Sequence, residues 1–288
     1  MNRRTFLKAV PAVTVLAAAT SGFAEETAKT PAPPAELKPI VLPKPEKDGG
    51  KSVLAALWER KTNRSIKPDA LPPQMLSNLL WAAFGVNREG GPRGRIGRTA
   101  ASASNSQEID LYVLLPEGAY LYEAVPHRLA PVVAGDLRAK AGGRGRGGGA
   151  ATAPVNIVFV ADLAKFASGT PQEPGLKDPD IQKSYYCVAT GLIAGNVYLF
   201  AASLGLAAWF HNCNKPDLAT ALKLRGDQRP LYAQTVGYPA QRYNVTLRGG
   251  SPDLPRQPLS RGCQARFLRG GSGDPPRKSR SGAVVVIP

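Results

Sequence analysis

The run from Gly191 to Gly205 constrains the fold more than any other stretch of this chain. It reads GLIAGNVYLFAASLG, and almost all of its side chains are apolar, with glycine and alanine spread along its whole length. A surface helix keeps a continuous polar face toward water, and this run offers none. The sequence therefore predicts a long buried helix around which the other elements pack.

The other apolar patterns predict two further helices and several strands. Apolar residues at helical spacing predict helices over Ser52–Lys61 and Pro72–Phe84, the second ended by Gly85. The predicted strands are Ile109–Leu115, its hairpin partner Gly118–Tyr122, Val155–Ala161, Ala207–Phe210 and Tyr232–Gly237. Helices that flank a mixed sheet make the predicted fold class α+β.

The chain begins with a segment typical of an export signal. A basic start, an apolar core and a small-x-small cleavage pattern follow one another: Arg3, Arg4 and Lys8, then Val10–Thr20, then Gly22-Phe23-Ala24. The apolar core is shorter than the roughly 20 residues that a bilayer requires. RRTFLK resembles the twin-arginine consensus, and an ordinary secretory signal is the alternative. We expect residues 1–24 to be a twin-arginine signal peptide, no transmembrane segment after its cleavage, and a periplasmic or otherwise exported protein.

Composition divides the rest of the chain into three parts. Residues 25–50 are rich in Pro, Lys and Glu, and we expect an extended linker with no core of its own. Residues 51–239 have the mixed apolar periodicity of one domain, and residues 240–288 are dominated by Arg, Gly, Pro and Ser, which predicts disorder. The formal charge is +16, of which the leader carries +3 and the tail +7, so that +6 is left for the domain and its linker.

The basic tail allows two interpretations. Its charge would suit nucleic acid or anionic lipid, although it has few aromatic side chains to stack on bases. Its repetitive composition is also typical of a poorly constrained extension, such as a shifted reading frame. We expect no specific nucleic-acid binding.

The usual metal and nucleotide motifs are missing. Cys187, Cys213 and Cys263 form no CxxC pair and the chain has 2 histidines, so we expect no metal site. The odd number of cysteines argues against a disulfide framework, although Cys187 and Cys213 could oxidise in the envelope. No GxGxxG follows a predicted strand and no GxxxxGK[ST] occurs, and Gly142–Gly149 is interpreted as a flexible insertion.

Two stretches carry candidate chemistry. Arg60–Ser65 (RKTNRS) places three cations and hydroxyl groups where the first helix ends, and such donors can surround a phosphate. Arg98–Glu108 (RTAASASNSQE) precedes a predicted strand, and its small side chains let a flat ring approach the backbone. Its Asn105 and Gln107 can both donate and accept hydrogen bonds. Taken alone, the first stretch could be a solvated helix end and the second an ordinary loop.

Taken together and in this order, the two stretches resemble motifs of the nitroreductase family of flavin enzymes, including its SagB-type dehydrogenase branch. RKTNR is similar to the family's N-terminal Arg-Arg-Ser-x-Arg pattern, with Lys61 for the second arginine and Thr62 for the serine. SASNSQ is similar to its Ser-Ala-x-Asn-x-Gln loop, although Ala101 stands where a proline usually precedes the serine.

Two later stretches extend the resemblance to the region from Ser52 to Pro239. Thr190–Phe210 resembles the long central helix of the family, with Gly195 where a glutamine is common. Gln234–Pro239 (QTVGYP) resembles its closing strand.

The resemblance implies non-covalent FMN at the interface of an intertwined homodimer. It assigns Arg60, Thr62 and Arg64 to the phosphate and ribityl chain, and Lys61 to the edge of the isoalloxazine. Asn105 would hydrogen-bond to the ring, and the small residues around it would line the pocket. The implied cofactor-binding residues are Arg60, Lys61, Thr62, Arg64, Ser102, Ser104, Asn105 and Gln107.

The resemblance also implies an FMN-dependent oxidoreductase that transfers hydride between flavin and a small organic substrate such as a nitro compound or quinone. Because the hydride moves to and from flavin N5, no protein nucleophile is expected. The electron donor is NAD(P)H or an envelope redox partner, and another branch of the family oxidises azoline rings. The alternatives are a non-catalytic flavin-binding scaffold, or an envelope protein that binds anionic partners through its basic tail.

Further residues carry weaker expectations. His211-Asn212-Cys213 is interpreted as a polar turn rather than a catalytic group. Tyr185 and Tyr186 could stack on flavin or belong to the core. The other expectations are packing roles for Trp58, Trp81 and Trp209, and contact with the phosphate for one of Arg225 and Arg229.

Overall fold

The computed structural model describes residues 36–90, 96–142, 148–168 and 174–240. The predicted signal peptide, the first part of the predicted linker and the basic tail lie outside these residues, as does most of Gly142–Gly149. The described chain combines helices with a large antiparallel sheet. The predicted α+β class is therefore confirmed.

A seven-stranded antiparallel sheet forms the centre of the fold. The strands of the described residues are β1 (Ile40–Val41), β2 (Val86–Arg88), β3 (Gly97–Arg98), β4 (Ile109–Leu115), β5 (Gly118–Glu123), β6 (Arg128–Ala134), β7 (Val155–Asp162), β8 (Ala207–His211) and β9 (Gln228–Gly237). The order in the large sheet is β1-β6-β5-β4-β7-β9-β8, and β2 pairs with β3 in a separate hairpin. The predicted β4–β5 hairpin is confirmed. All of β7 is buried, because it lies between β4 and β9 and both of its faces are covered.

Helices pack on both faces of this sheet. They are α1 (Val53–Glu59), α2 (Pro73–Phe84), α3 (Arg138–Ala141), α4 (Gly148–Thr152), α5 (Ala164–Ser168), α6 (Pro179–Ser203) and α7 (Lys215–Ala221). Odd-numbered residues of β4, such as Leu111 and Val113, join the larger core cluster with α2 and α6. Even-numbered ones, such as Tyr112 and Leu114, join a second cluster with α7. This alternation follows from the period of two along a strand.

The central helix α6 is longer than the apolar run that predicted it. It begins after Asp178, whose carboxylate accepts the N–H of Asp180, and Pro179 suits the first helical position. It ends before Gly205, which takes the left-handed conformation (φ 70°) that a side chain would disfavour. By length and composition α6 could also cross a membrane, a test that core helices pass too. Seven of its residues are buried, which is the arrangement of a core helix.

Residues 36–50, here named the N-terminal strap, lie along the domain. β1 pairs with β6 at the edge of the sheet, and the following Leu42 is buried. Ser77 of α2 donates a hydrogen bond to the carbonyl of Pro43 (2.5 Å). The expectation of an extended linker without a core is corrected for this part of the chain, because a short apolar run finds a strand partner that is distant in sequence.

The helix α1 leaves most of its apolar side chains in solvent. The exposed ones are Val53, Leu54, Leu57 and Trp58. Ala56 alone among its residues is buried, and Trp58 is 91% exposed. The expected packing role of Trp58 is therefore wrong within one chain, whereas Trp81 and Trp209 are partly buried.

Candidate active site

The basic segment, Arg60–Ser65, follows α1 and runs beside β8 and the end of β9. The N–H of Asn63 donates to the carbonyl of Ala208 (3.0 Å), and the carbonyl of Ser65 accepts from the N–H of Ala240 (2.9 Å). These bonds fix the backbone to the sheet. The side chains of its three cations remain exposed.

Tyr198 of α6 joins the basic segment to β8. Its hydroxyl accepts from the N–H of Phe210 (2.9 Å) and forms a second hydrogen bond with Thr62 Oγ1 (3.0 Å), in which either oxygen can donate. The guanidinium of Arg60 lies over the Tyr198 ring, 5.6 Å from its centroid. Sequence reasoning missed this tyrosine, because its position on a buried helix suggested packing alone.

A cavity of about 420 Å³ opens beside the basic segment. Arg60, Lys61, Trp58 and Tyr198 are among the residues that line it. Within the described ranges, the two cations and the neighbouring Arg64 form no ion pair. Two cations that line an open cavity, with a third cation close by in the chain, are suited to a phosphate group.

The amide loop, Ser102–Gln107, is a strained turn that precedes β4. Ser104, Asn105 and Gln107 all have positive φ (49°, 53° and 51°), which is rare for residues other than glycine. The amide groups of Asn105 and Gln107 both donate to the carbonyl of Ile96, at 3.1 Å and 2.9 Å. The backbone N–H of Gln107 donates to Ser102 Oγ (3.0 Å). These bonds hold the loop in a conformation that its residues would not otherwise favour.

Arg98 is the side chain that ties the amide loop to α2. Its Nε donates to Gln107 Oε1 (2.7 Å), and its Nη1 donates to the carbonyl of Phe84 (3.1 Å). The guanidinium also lies over the Phe84 ring at 5.0 Å. Burial lowers the pKa of Arg98 from its ordinary value. The sequence contained Arg98 at the start of the motif, but nothing there indicated this supporting role.

The basic segment and the amide loop lie at opposite ends of β9. Ala208, which accepts from Asn63, pairs with Val236 of β9. The amide loop ends close to Ile109, which lies across β7 from Arg229 of β9. Seven positions separate Val236 from Arg229, or about 23 Å at about 3.3 Å per residue. One chain therefore does not bring the eight predicted residues into one pocket.

The helix α6 also separates the two groups. Asn196 donates to the carbonyls of Ala83 (3.4 Å) and Thr99 (3.2 Å), on the side of the amide loop. Tyr198, only two residues further, contacts Thr62 of the basic segment. Two residues turn about 200° around a helix, so the two groups contact opposite faces of α6.

Comparison with known proteins identifies the family of this fold. The sequence model of the nitroreductase family matches residues 57–238. The chain belongs to the nitroreductase family. It is therefore an oxidoreductase of the flavin type.

Solved structures include relatives of this nitroreductase-family chain. A crystal structure from Ralstonia eutropha JMP134, provisionally assigned as a nitroreductase, is 37% identical, with 73% of this chain and 94% of that one covered and a TM-score of 0.63. Bacillus megaterium NfrA2 is 18% identical, with 72% and 70% covered and a TM-score of 0.47. The Escherichia coli microcin synthetase complex is 19% identical, with 76% and 86% covered and a TM-score of 0.49. No curated protein sequence matches the chain.

The two late arginines do not lie at the basic segment of this nitroreductase-family chain. Arg225 pairs with Asp162 (2.9 Å) and Asp227 (3.1 Å), and Arg229 lies near the start of β9. Both are at the end of the sheet that carries the amide loop. The expectation that one of them contacts the same phosphate as Arg60 is wrong within one chain.

The remaining candidate residues are mostly structural. Tyr186 is buried in the core. Cys187 is an exposed free thiol and Cys213 a buried one, and burial raises the pKa of Cys213 to about 11. Cys263 lies outside the described residues. His211 is not in a simple polar turn, since it ends β8 and both of its ring nitrogens have polar partners.

Proposed function

We propose that this chain is an FMN-dependent oxidoreductase of the cell envelope that works as a homodimer and transfers hydride between flavin and a small organic substrate such as a nitro compound or quinone. The observation that carries the proposal is the pair of half-sites. One is cationic and unpaired, and the other is a constrained loop of amide and hydroxyl groups.

The basic segment fits the phosphate end of FMN. Arg60 and Arg64 offer forked donors, Lys61 a point charge, and Thr62 an exposed hydroxyl group. A phosphate dianion bound there would neutralise the positive charge of the basic segment, whose cations form no ion pair with a described acidic residue. The isoalloxazine ring of FMN fits the amide loop, where the small side chains of Ser102 and Ser104 leave the backbone accessible.

A second copy of the chain would complete the site. The two half-sites lie about 23 Å apart in one chain, and exposed apolar side chains cover α1 and one stripe of α6. The stripe of α6 consists of Val188, Gly191, Leu192 and Gly195, which recur at helical spacing. A methyl group at Gly191 or Gly195 would meet no other atom within 4 Å, so a partner can approach closely there. An amide loop supplied by the partner subunit would then meet the basic segment.

When bound, FMN supplies the hydride chemistry itself. The basic segment would hold its phosphate and set its position along β8. The amide loop, supported by Arg98, would orient the ring by hydrogen bonds and keep water from one of its faces. Positive charge at Lys61 would favour an anionic reduced ring.

The envelope location rests on the leader. Arg3-Arg4 suits export of a folded protein, and a cofactor loaded before export requires such a route. Because NAD(P)H is scarce outside the cytoplasm, an envelope redox partner is our proposed electron donor.

The visible absorption spectrum of the purified full-length protein tests this function. We expect a yellow protein that releases about one FMN per chain on heating. Arg60→Ala should reduce the bound FMN while leaving the circular dichroism spectrum unchanged, and Arg128→Ala, which removes an exposed arginine paired with Glu123, should not. A colourless protein that takes up no added FMN would refute the proposal and favour a scaffold without flavin chemistry.

A further inference from the structure

His211 belongs to a chain of polar groups that crosses three strands of the sheet. Its Nδ1 lies 2.9 Å from the carbonyl of Asn212, and its Nε2 lies 2.8 Å from Thr235 Oγ1. Thr235 Oγ1 lies 2.5 Å from Asn156 Oδ1, and Asn156 Nδ2 donates to the carbonyl of Ala150 (2.8 Å). Thr235 and Asn156 are fully buried. Water does not reach Thr235 or Asn156, so these two side chains must satisfy each other and their protein neighbours, whereas Asn212 is exposed.

The donors and acceptors along this chain of polar groups determine which protonation state of His211 completes it. Asn156 commits its N–H to Ala150, so its oxygen accepts the hydroxyl proton of Thr235. The Thr235 oxygen must then accept a proton from His211 Nε2, while the carbonyl of Asn212 accepts one from Nδ1. A proton on each ring nitrogen would complete both bonds, and only the imidazolium cation has two.

Burial and charge oppose that second proton. The pKa of His211 is lowered from its ordinary value, first by burial and also by the positive charge of Arg64. A neutral His211 ring has one nitrogen without a proton. That nitrogen would face another acceptor, either the carbonyl oxygen of Asn212 or the hydroxyl oxygen of Thr235. Among the described residues around the His211 ring, Arg64 is the one that carries a charge. The neighbouring side chains on β9 and β7 are Thr235 and Asn156, and neither of them titrates.

A stack of rings connects His211 to the basic segment. The His211 ring lies 4.2 Å from that of Trp209 at an angle of 38°. The guanidinium of Arg64 lies over the same indole, 5.6 Å from its centroid. An anion held by Arg64 would neutralise the charge that opposes the second proton on His211. Proton uptake and anion binding are then coupled, and the coupling acts equally in both directions.

We propose that His211 is a positioning residue for the phosphate end of the cofactor, and that its protonation strengthens anion binding at Arg64. This inference rests on the function proposed above, and it adds a pH dependence that the family motifs do not contain. Protonation completes the polar chain and adds a positive charge, stacked on Trp209, to those of the basic segment.

Binding of FMN and of inorganic sulfate as a function of pH tests the coupling in the full-length protein. Sulfate is the cleaner probe because its charge does not change in this range, whereas a phosphate monoester titrates near pH 6. Between about pH 7.5 and about pH 4.5 we expect the wild-type affinity for sulfate to rise about five- to tenfold. Most of the rise should fall below the ordinary histidine pKa of 6.5, because burial and Arg64 lower the pKa of His211. His211→Gln should abolish the rise. His127→Gln, which replaces the second of the 2 histidines, should retain it.

The outcomes distinguish this inference from the proposed function. FMN binding without any pH dependence of sulfate affinity would refute the coupling and leave the flavin function intact. Absence of both FMN and sulfate binding at every pH would refute both.

A second measurement needs no variant of His211. Nitrogen-15 resonances of the two imidazoles can be assigned with His127→Gln and followed against pH. Saturating sulfate should raise the pH at which His211 takes up its second proton by the base-10 logarithm of the fold-change in affinity, or about 0.7–1 pH unit for five- to tenfold. An unchanged His211 titration would overturn the inference even if His211→Gln did not fold.

Discussion

Replacing Arg98, which supports the amide loop, with alanine should destabilise the domain. The change removes the hydrogen bonds to Gln107 Oε1 (2.7 Å) and to the carbonyl of Phe84 (3.1 Å), together with the contact over the Phe84 ring (5.0 Å). Hydrogen bonds from a charged donor are worth about 1.5–3 kcal/mol each, and a cation–π contact about 0.5–2 kcal/mol. The lowered pKa of Arg98 shows that burying the cation opposes folding, so we expect a net loss of about 2–4 kcal/mol.

Urea and thermal denaturation of the full-length protein, followed by circular dichroism, measure this loss. For a domain of this size, about 2–4 °C per kcal/mol corresponds to a decrease in Tm of about 5–15 °C. Arg98→Lys should recover part of the loss, since a lysine reaches one acceptor but cannot fork to two. Arg128→Ala is the matched control, and we expect it to change the free energy of unfolding by less than about 1 kcal/mol. A loss for Arg98→Ala as small as that of the control would refute the supporting role of Arg98.

Two further changes test the strap and the exposed face of α1. Leu42→Ala should lower the free energy of unfolding by about 2–4 kcal/mol in the same denaturation assay. Val41→Ala, at a neighbouring exposed position, should change it by less than about 0.5 kcal/mol. Equal effects would show that the strap does not belong to the core. Trp58→Asp should convert a dimer to a monomer in analytical ultracentrifugation, while Val125→Asp, at an exposed apolar residue outside α1, should not. An unchanged dimer would show that α1 is not its interface.

Features that depend on local periodicity could be predicted from the sequence. The apolar run of Gly191–Gly205 indicated the buried part of α6, and the spacing of Ile109–Leu115 and Gly118–Tyr122 indicated the β4–β5 hairpin. In both cases the residues that decide the structure are neighbours in the chain. The start of α6 was missed, because residues 179–190 contain exposed polar side chains that carry no apolar signal.

Features that depend on distant partners could not be predicted in the same way. The strap was interpreted as a linker because its proline and lysine content hides a short apolar run that pairs with β6. Trp58 was assigned to packing because helical spacing identifies an apolar face but not the surface that covers it. The motifs predicted the residues of both proposed half-sites, but not the distance between them, which follows from the register of β7 and β9.

The position of the two proposed half-sites would link cofactor binding to assembly. If FMN contacts the basic segment of one chain and the amide loop of another, each bound cofactor stabilises the dimer, and dimerisation in turn raises the affinity for FMN. Dilution should then release FMN and dissociate the dimer together. Leu54→Asp, at an exposed apolar residue of α1 that does not line the cavity beside the basic segment, should lower the FMN content by preventing dimerisation, whereas Arg60→Ala should lower it in a protein that can still dimerise. A Leu54 variant that is monomeric and keeps its FMN would show that one chain suffices, and the site would then have to be formed at one end of β9 alone.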